Sequence, residues 1–340
     1  MVNLSQAAYD VPILMLYEID YLSWSKPERQ EVLDLVAQLS LSMQNVGHSI
    51  INFEISDYKS LKKLDSVNHE KYIVFNWCEG IPGLPHSFHL AAKYLENFDF
   101  TFTGASSDSL MVNGNKKLVK ELLTINGILT PPWKVFDIGT DIKWDIYPAI
   151  IKPALEHCSI GITTNSVVSS HDALLKQVIH VWDQFEQPAL VEEFIVGREF
   201  QVGVWGNNDE MDILPPVEAD FSNLPDISDH LCTVDSKDDP QSYRYKLWDM
   251  KIPAPLSKSQ LSNIRKICIS AYKATNCRDY ARMDVRYRDN NFYILDVNAN
   301  PYIGPECGLV RSAEQEGYSY GQFGSQIVNF ALKRRTKNIR

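Results

Sequence analysis

The chain has 340 residues, room for two or three lobes with sizeable cores, and its 44% apolar and 22% charged residues are those of an ordinary globular protein. Its net charge of -10 argues against a nucleic-acid polyanion as main partner, and no apolar run of about 18 residues offers a membrane span. The six cysteines include no Cys-x-x-Cys pair and the start of the chain lacks the pattern of a cleaved leader, so reduced thiols and the cytoplasm are expected.

Residues 11–17 are a continuous apolar run, the pattern of a buried parallel strand. A helix follows: Ser25 caps it, Pro27 stands in its first turn, Val32, Leu35, Val36, Leu39 and Met43 form one stripe, and Gly47 stops it. Strands over 49–55 and 72–75 and a helix over 84–97 continue the alternation, which predicts a small doubly wound first lobe. Residues 17–21 hold no glycine, so a dinucleotide-type phosphate loop is not expected after the first strand. His86 and His89 share helical spacing but no companion ligand, and read as helix surface or core.

A second lobe begins near Gly104. A helix over 115–126 puts Lys116, Lys117 and Lys120 near its start, where cations oppose the helix dipole; either an anion lies nearby or the side chains reach into solvent. The apolar strand 147–153 ends in Lys152 beside the loop 154–161, a lysine and free backbone amides fit to clamp phosphate. A strand over 162–168 and a helix over 170–185 precede strand 189–194, which ends in the acids Glu192 and Glu193. Gly197 then turns the chain into a strand over 199–205. Residues 218–250 are polar and without sustained periodicity, which reads as a functional lid. An amphipathic helix over 257–275 follows, and 308–332 is mostly helical, with the cations of 333–337 as its solvated end.

The chemistry concentrates in residues 282–298. Two β-rich runs, 281–287 and 292–297, flank a polar Asp289-Asn290-Asn291 turn and predict an antiparallel hairpin. Alternation puts Arg282, Asp284 and Arg286 on one face of the first strand, and Asp296 and Asn298 with Ile294 on one face of the second. A two-residue turn would set Asp284 opposite Leu295 and mix charged with apolar faces. A three-residue turn sets Asp284 opposite Asp296 and Arg282 opposite Asn298, and is the register adopted. Two facing carboxylates repel unless a cation lies between them, and two hard oxygen donors with an Asn carbonyl suit Mg2+.

These segments, in order from residue 72 to 330, resemble the ATP-grasp superfamily and, within it, the D-alanine-D-alanine ligase family. The blocks are 74–80 (Val-Phe-Asn-Trp-Cys-Glu-Gly, with Glu79), 147–153, 159–163 (from Ser159), 191–204, 214–218 and 282–301. The resemblance implies an α/β fold of three lobes: an N-terminal doubly wound lobe over 1–104, then antiparallel-sheet lobes over 105–190 and 191–340 that clamp ATP. It implies that Lys116 and Lys152, with Ser159 in the loop, hold ATP phosphates, and that Glu192, beside Glu193, accepts from the adenine amino group. Glu199 would meet the ribose. Asp284, Asp296 and Asn298 would hold two Mg2+ ions, with Mn2+ as a substitute, and Asp296 stands where the family usually has Glu. Arg282 would stabilise an oxyanion, and Lys246 would reach the terminal phosphate from the lid.

The implied reaction activates a carboxylate as an acyl phosphate for attack by an amine, with small-molecule substrates, no nucleic acid or membrane partner, and a homodimer allowed. Departures from the family pattern bear on substrate. The family's glutamate for the first amino acid's ammonium is missing after Leu16, and Glu18 is the candidate substitute. Tyr302 replaces a glycine and is expected to intrude on the pocket; Cys307 replaces a carboxylate-binding serine with a weak donor; His157 and Cys158 replace small residues of the phosphate loop. The reading is therefore an ATP-dependent ligase of amino acids or amino-acid-like intermediates. The alternatives are the wall-building D-alanine ligase and a nucleotide-binding regulator without ligation.

Overall fold

A computed structural model of the chain describes residues 11–233 and 249–338. Lys246, the expected lid lysine, lies outside them. Strands β1 (Ile13–Glu18), β2 (Ile50–Ile55) and β3 (Ile73–Asn76) form a parallel sheet of order β2-β1-β3. Ile13, Met15 and Tyr17 enter one core with helix α1 (Lys26–Asn45), while Leu14 and Leu16 enter another with helix α2 (Phe88–Asn97). Both faces of β1 are thus covered, which is why its sequence is apolar from Ile13 to Leu16 and turns polar only at its carboxyl end. A capping box fixes the start of α1: the Glu28 N–H donates to Ser25 Oγ at 3.4 Å, and the Ser25 N–H to Glu28 Oε2 at 2.6 Å.

Helices α3 (Ser107–Asn113) and α4 (Lys116–Ile125) lead to the second sheet. Its strands are β4 (Trp133–Phe136), β5 (Ala149–Pro153), β6 (Val167–Val168) and β7 (Ala189–Glu193), antiparallel in the order β4-β7-β5-β6. Helix α5 (His171–Phe185) covers one face through Leu174, Val178 and Val181. The third sheet contains β8 (Arg198–Trp205), β9 (Asp212–Ile213), β10 (Val217–Asp220), β11 (Asp249–Lys251), β12 (Tyr280–Arg288) and β13 (Asn291–Ala299). It runs β11-β10-β8-β12-β13, with β9 beside β8. Helix α6 (Lys258–Ala274) and α4 share one of its cores, Ile264, Cys268 and Ala271 meeting Val119 and Leu123. Each aliphatic side chain so buried stabilises the fold by about 1.5–3 kcal/mol.

Helices α7 (Gly308–Gln315) and α8 (Tyr320–Asn338) close the description. α8 returns to the first core, where Phe323, Ile327 and Val328 join Val36, Leu39 and Met43 of α1. A Cβ on Gly321 would stand 2.0 Å from the Ser42 carbonyl oxygen, so only glycine allows this approach. Among the described residues no helix is long and apolar enough to cross a membrane.

Several elements differ from expectation. The helix expected over 84–97 starts at Phe88, because Ser87 ties the preceding turn by donating to Leu84 O at 2.6 Å and accepting from Ile81 N at 2.7 Å. The strand expected over 162–168 shrinks to Val167–Val168, preceded by a 3-10 turn, Thr164–Ser166. The lid reading of 218–250 yields at both ends, where β10 and β11 pair with each other. Strand β4 and helix α3 had no expectation at all, being only four and seven residues long.

Candidate active site

Strands β12 and β13 form the expected hairpin, with Asp284 opposite Asp296 and Arg282 opposite Asn298. The route to that register differs from the expected one. The turn is the two residues Asp289 and Asn290 between the paired Arg288 and Asn291, with φ of 49° and 62°, positive at both positions as a type I′ turn requires. That turn alone would put Leu295 opposite Asp284. A β-bulge skips Leu295 and brings Asp296 into line, so Ile294 pairs with Val285 in the core and does not share the face of Asp296. The bulge is held from outside the hairpin. The Ile294 N–H donates to Leu129 O at 2.9 Å, and Ile294 O accepts from Thr130 Oγ1 at 2.7 Å and Lys120 Nζ at 3.4 Å, which satisfies backbone groups that the ladder leaves unpaired.

The exposed face of this hairpin and the uncovered face of the second sheet line a cavity of about 110 Å³. Lys116, Lys152, Ser159, Glu192, Glu193, Glu199, Arg282, Asp284, Asp296 and Asn298 all lie on its wall. Every acid among them has a partner from the chain. Glu192, wholly buried, takes Lys152 on one oxygen and Lys120 Nζ at 2.6 Å on the other. Burial works to raise the Glu192 carboxyl, but the two lysines outweigh it and hold it below its ordinary range. Around the same carboxylate Lys120 is lowered, because burial wins, and Lys152 is raised, because Glu192 outweighs burial. The ionised carboxylate between two cations is consistent with both.

Asp296 pairs with Lys116, and although burial pushes the other way, that lysine leads the charges holding the carboxyl at about 2. Arg282 grips Asp284 with Nε at 2.9 Å and Nη2 at 3.2 Å, and Asn298 Nδ2 adds a bond to Asp284 Oδ2 at 3.0 Å. Glu199 receives Arg286 through Nε at 2.9 Å and Nη2 at 2.6 Å, and Glu193 receives Arg288 Nη1 at 2.6 Å. Ser159 Oγ donates to Cys232 O at 2.7 Å. Among the described residues no three acidic, His or Cys side chains converge into a cage for a metal ion. The oxygen set on the hairpin, two carboxylates and one amide, nevertheless fits a hard divalent cation that completes its shell with phosphate and water.

A second cavity, of about 570 Å³, opens at the carboxyl ends of β1 and β3. Glu18, Glu79 and Tyr302 line it, as do Asp20, Trp24, Trp77 and Phe88. Both oxygens of Glu18 face the Glu79 N–H, at 3.0 and 3.2 Å, and burial, then the Glu79 charge, push the Glu18 carboxyl up to about 8. Burial raises Glu79 as well, with Arg282 pulling it down. Tyr302 does not fill the pocket as expected: it folds back over Gly304, where a Cβ would meet its hydroxyl at 2.0 Å, and forms part of the wall. Cys307 lines neither cavity; its sulfur accepts from the Val310 N–H at 3.5 Å and caps α7.

Lys120, Arg286 and Trp24 escaped assignment to the site. Lys120 had a signal, lying one helical turn after Lys116; Arg286 had one in its alternation with Arg282 and Asp284; Trp24, in a loop, had none.

Residues 136–329 match the family described as the D-ala D-ala ligase C-terminus. The chain is 29% identical over 301 residues to the uncharacterized protein y4sG of Sinorhizobium fredii, covering 86% of each. It is 24% identical over 308 residues to the D-alanine–D-alanine ligase of Aquifex aeolicus, covering 88% of this chain and 96% of that one. The crystal structure of the D-alanine–D-alanine ligase of Bacillus anthracis complexed with ATP superposes with a TM-score of 0.74 at 17% identity, covering 96% of this chain and 99% of that one.

Proposed function

Because the chain belongs to the D-ala D-ala ligase family, we propose that it joins the carboxylate of one amino-acid-like molecule to the amine of another through an acyl phosphate. It is an ADP-forming C–N ligase of the ATP-grasp fold. One observation carries the reading: Asp284 and Asp296 face each other across the hairpin, with Arg282 beside them and Lys116 and Lys152 on the same cavity wall. A site that only sensed nucleotide has no need of an oxyanion donor next to its metal acids.

In this reading ATP lies between the second and third sheets, and the three lobes are 1–104, 105–190 and 191–340. Lys116 and Lys152 leave Asp296 and Glu192 for phosphate oxygens, and Glu192 and Glu193 bound the adenine side while Glu199 meets the ribose. Asp284, Asp296 and Asn298 would hold Mg2+, which neutralises charge on the transferring phosphoryl group. Arg282, released from Asp284, donates to the oxyanion that forms as the amine attacks the acyl phosphate. The carboxylate oxygen takes the γ-phosphoryl group, ADP leaves, the amine nitrogen then displaces phosphate, and the nitrogen's proton goes to solvent. No protein nucleophile enters; positioning supplies the acceleration.

The test is ADP release with Mg-ATP and pairwise pools of amino acids and amines, with the product identified by mass. ADP release that requires two substrates and yields an amide is expected, and Arg282→Ala should keep ATP binding while losing amide formation. ATP binding with no pair-dependent ADP release would sink the ligase reading.

A further inference from the structure

The larger cavity is the least explained feature of the molecule. Its place is informative: with strand order β2-β1-β3, the chain leaves β1 for one side and reaches β3 on the other, and ligands of open α/β sheets sit in the crevice this opens at the carboxyl ends of the strands. It is also continuous with the chemistry. Phe88 on its wall stands edge-on to His157 of the smaller cavity, ring centres 4.7 Å apart, Tyr302 follows directly from the hairpin, and Glu79 feels the charge of Arg282.

We propose that this cavity is the specificity pocket for a substrate carrying an ammonium group on a bulky, aromatic-sized apolar body, the ammonium held by Glu18 and Glu79 and the body enclosed by Trp24, Trp77, Tyr302 and Phe88. The inference rests on the ligase reading for its reaction but on the cavity for its substrate. At about 570 Å³ the space is that of a small-molecule ligand site, and a residue as small as alanine would leave most of it to water. Its walls are aromatic and aliphatic, with Val32, Leu35 and Val36 of α1 contributing. Its acids are Glu18, Glu79 and Asp20, and among the described residues neither Glu18 nor Glu79 has a cation within ion-pair distance. Glu18 is only 8% exposed, so as an anion it calls for a compensating charge that the chain does not supply. An ammonium supplies it. A Cβ on Gly304 would stand 2.0 Å from the Tyr302 hydroxyl, so any larger residue there would displace the ring from its place on the wall.

The experiment uses the whole chain with Mg-ATP and follows tryptophan fluorescence and ADP release. The probes are D-alanine, D- and L-phenylalanine, tryptophan and phenethylamine, with 3-phenylpropionate as the matching body without an ammonium; for turnover each is paired with a pool of amino acids. Bulky amines should perturb the fluorescence and be used with kcat/KM at least about tenfold above D-alanine, the scale on which pocket fit discriminates side chains. Trp24→Ala should raise KM for the bulky amine about tenfold or more and leave KM for ATP alone. Glu18→Gln should weaken binding of the amines but not of 3-phenylpropionate, and circular dichroism checks that both variants fold. D-alanine as the best substrate, or no response to any bulky amine, overturns the proposal. ADP release by small amino acids alone would do so while sparing the ligase reading; amine binding without any ADP release would sink the ligase reading and uphold the pocket.

Discussion

Asp296 is held by Lys116 on one side and faces Asp284 on the other; in the proposed reading its charge would be needed twice, by the lysine and by a divalent cation once phosphate drew the lysine away. Asp296→Asn keeps the size and removes the charge. Mg2+-dependent turnover should fall roughly ten- to a thousandfold with the fold retained, read by ADP release across a Mg2+ titration. Glu18 poses the opposite problem. Its folded carboxyl titrates near 8 against an ordinary 4.5, so between those values the native state holds a proton that the unfolded chain has lost. Stability contributed by that proton is complete below 4.5 and is lost as pH rises through 8. Glu18→Gln should therefore melt higher than the parent at pH 8.5 and at the same temperature at pH 4. A bound ammonium should erase the difference at pH 8.5. At this scale part was legible: strand alternation put Arg282 with Asp284, and Asp296 with Asn298, on faces that line the smaller cavity, and a lysine at a strand end marked Lys152 on the same wall. The partners of those groups were not legible, because Lys120 meets Glu192 across 72 residues of sequence and only the packed fold brings them together.

The hairpin shows how an element can be read correctly for the wrong reason. A sequence with one residue too many for a regular ladder can place it in the turn or in a bulge, and residues 281–299 do not distinguish the two. The decision is made by Leu129 and Thr130, which take the backbone of Ile294 from a loop some 164 residues away. Thr130→Val keeps the shape and removes the hydroxyl that donates to Ile294 O. It should cost about 1–3 kcal/mol in denaturant unfolding, the penalty of a buried group left short of a partner. Because the bulge aims Asp296, the same variant should also raise the Mg2+ concentration for half-maximal turnover; unaltered Mg2+ dependence would show that the bulge is held by the strands themselves. The short elements β4 and α3 were invisible for a related reason, their lengths giving periodicity too few repeats to register.

At the scale of the whole molecule, Asp279 joins regions that are far apart in the chain. Wholly buried, it accepts from the Gly104 N–H at 2.8 Å, from Asn207 Nδ2 at 2.8 Å, and from Arg334 through Nε at 2.9 Å and Nη2 at 2.6 Å. Asp279→Asn retains a residue that tolerates its φ of 62° but strips the charge from a buried pair. It should cost about 3–5 kcal/mol by chemical denaturation; a loss well under 1 kcal/mol would mean Arg334 finds another acceptor. The three sheets and their order of appearance were legible from alternating strands and helices and from the family blocks. The return of α8 to the first core was not, since a helix's stripe does not say which sheet it will cover.

That return has a consequence for the order in which the molecule is made. Domains of a nascent chain ordinarily fold as they emerge, amino-terminal first. Here Ile13, Met15 and Tyr17 form a core that Phe323, Ile327 and Val328 complete, so that core stays unfinished on the ribosome until residue 328 has emerged. A circular permutant that places residues 320–338 ahead of residue 11 would let that core close at the start of synthesis, leaving the ligase lobes to dock on a finished surface.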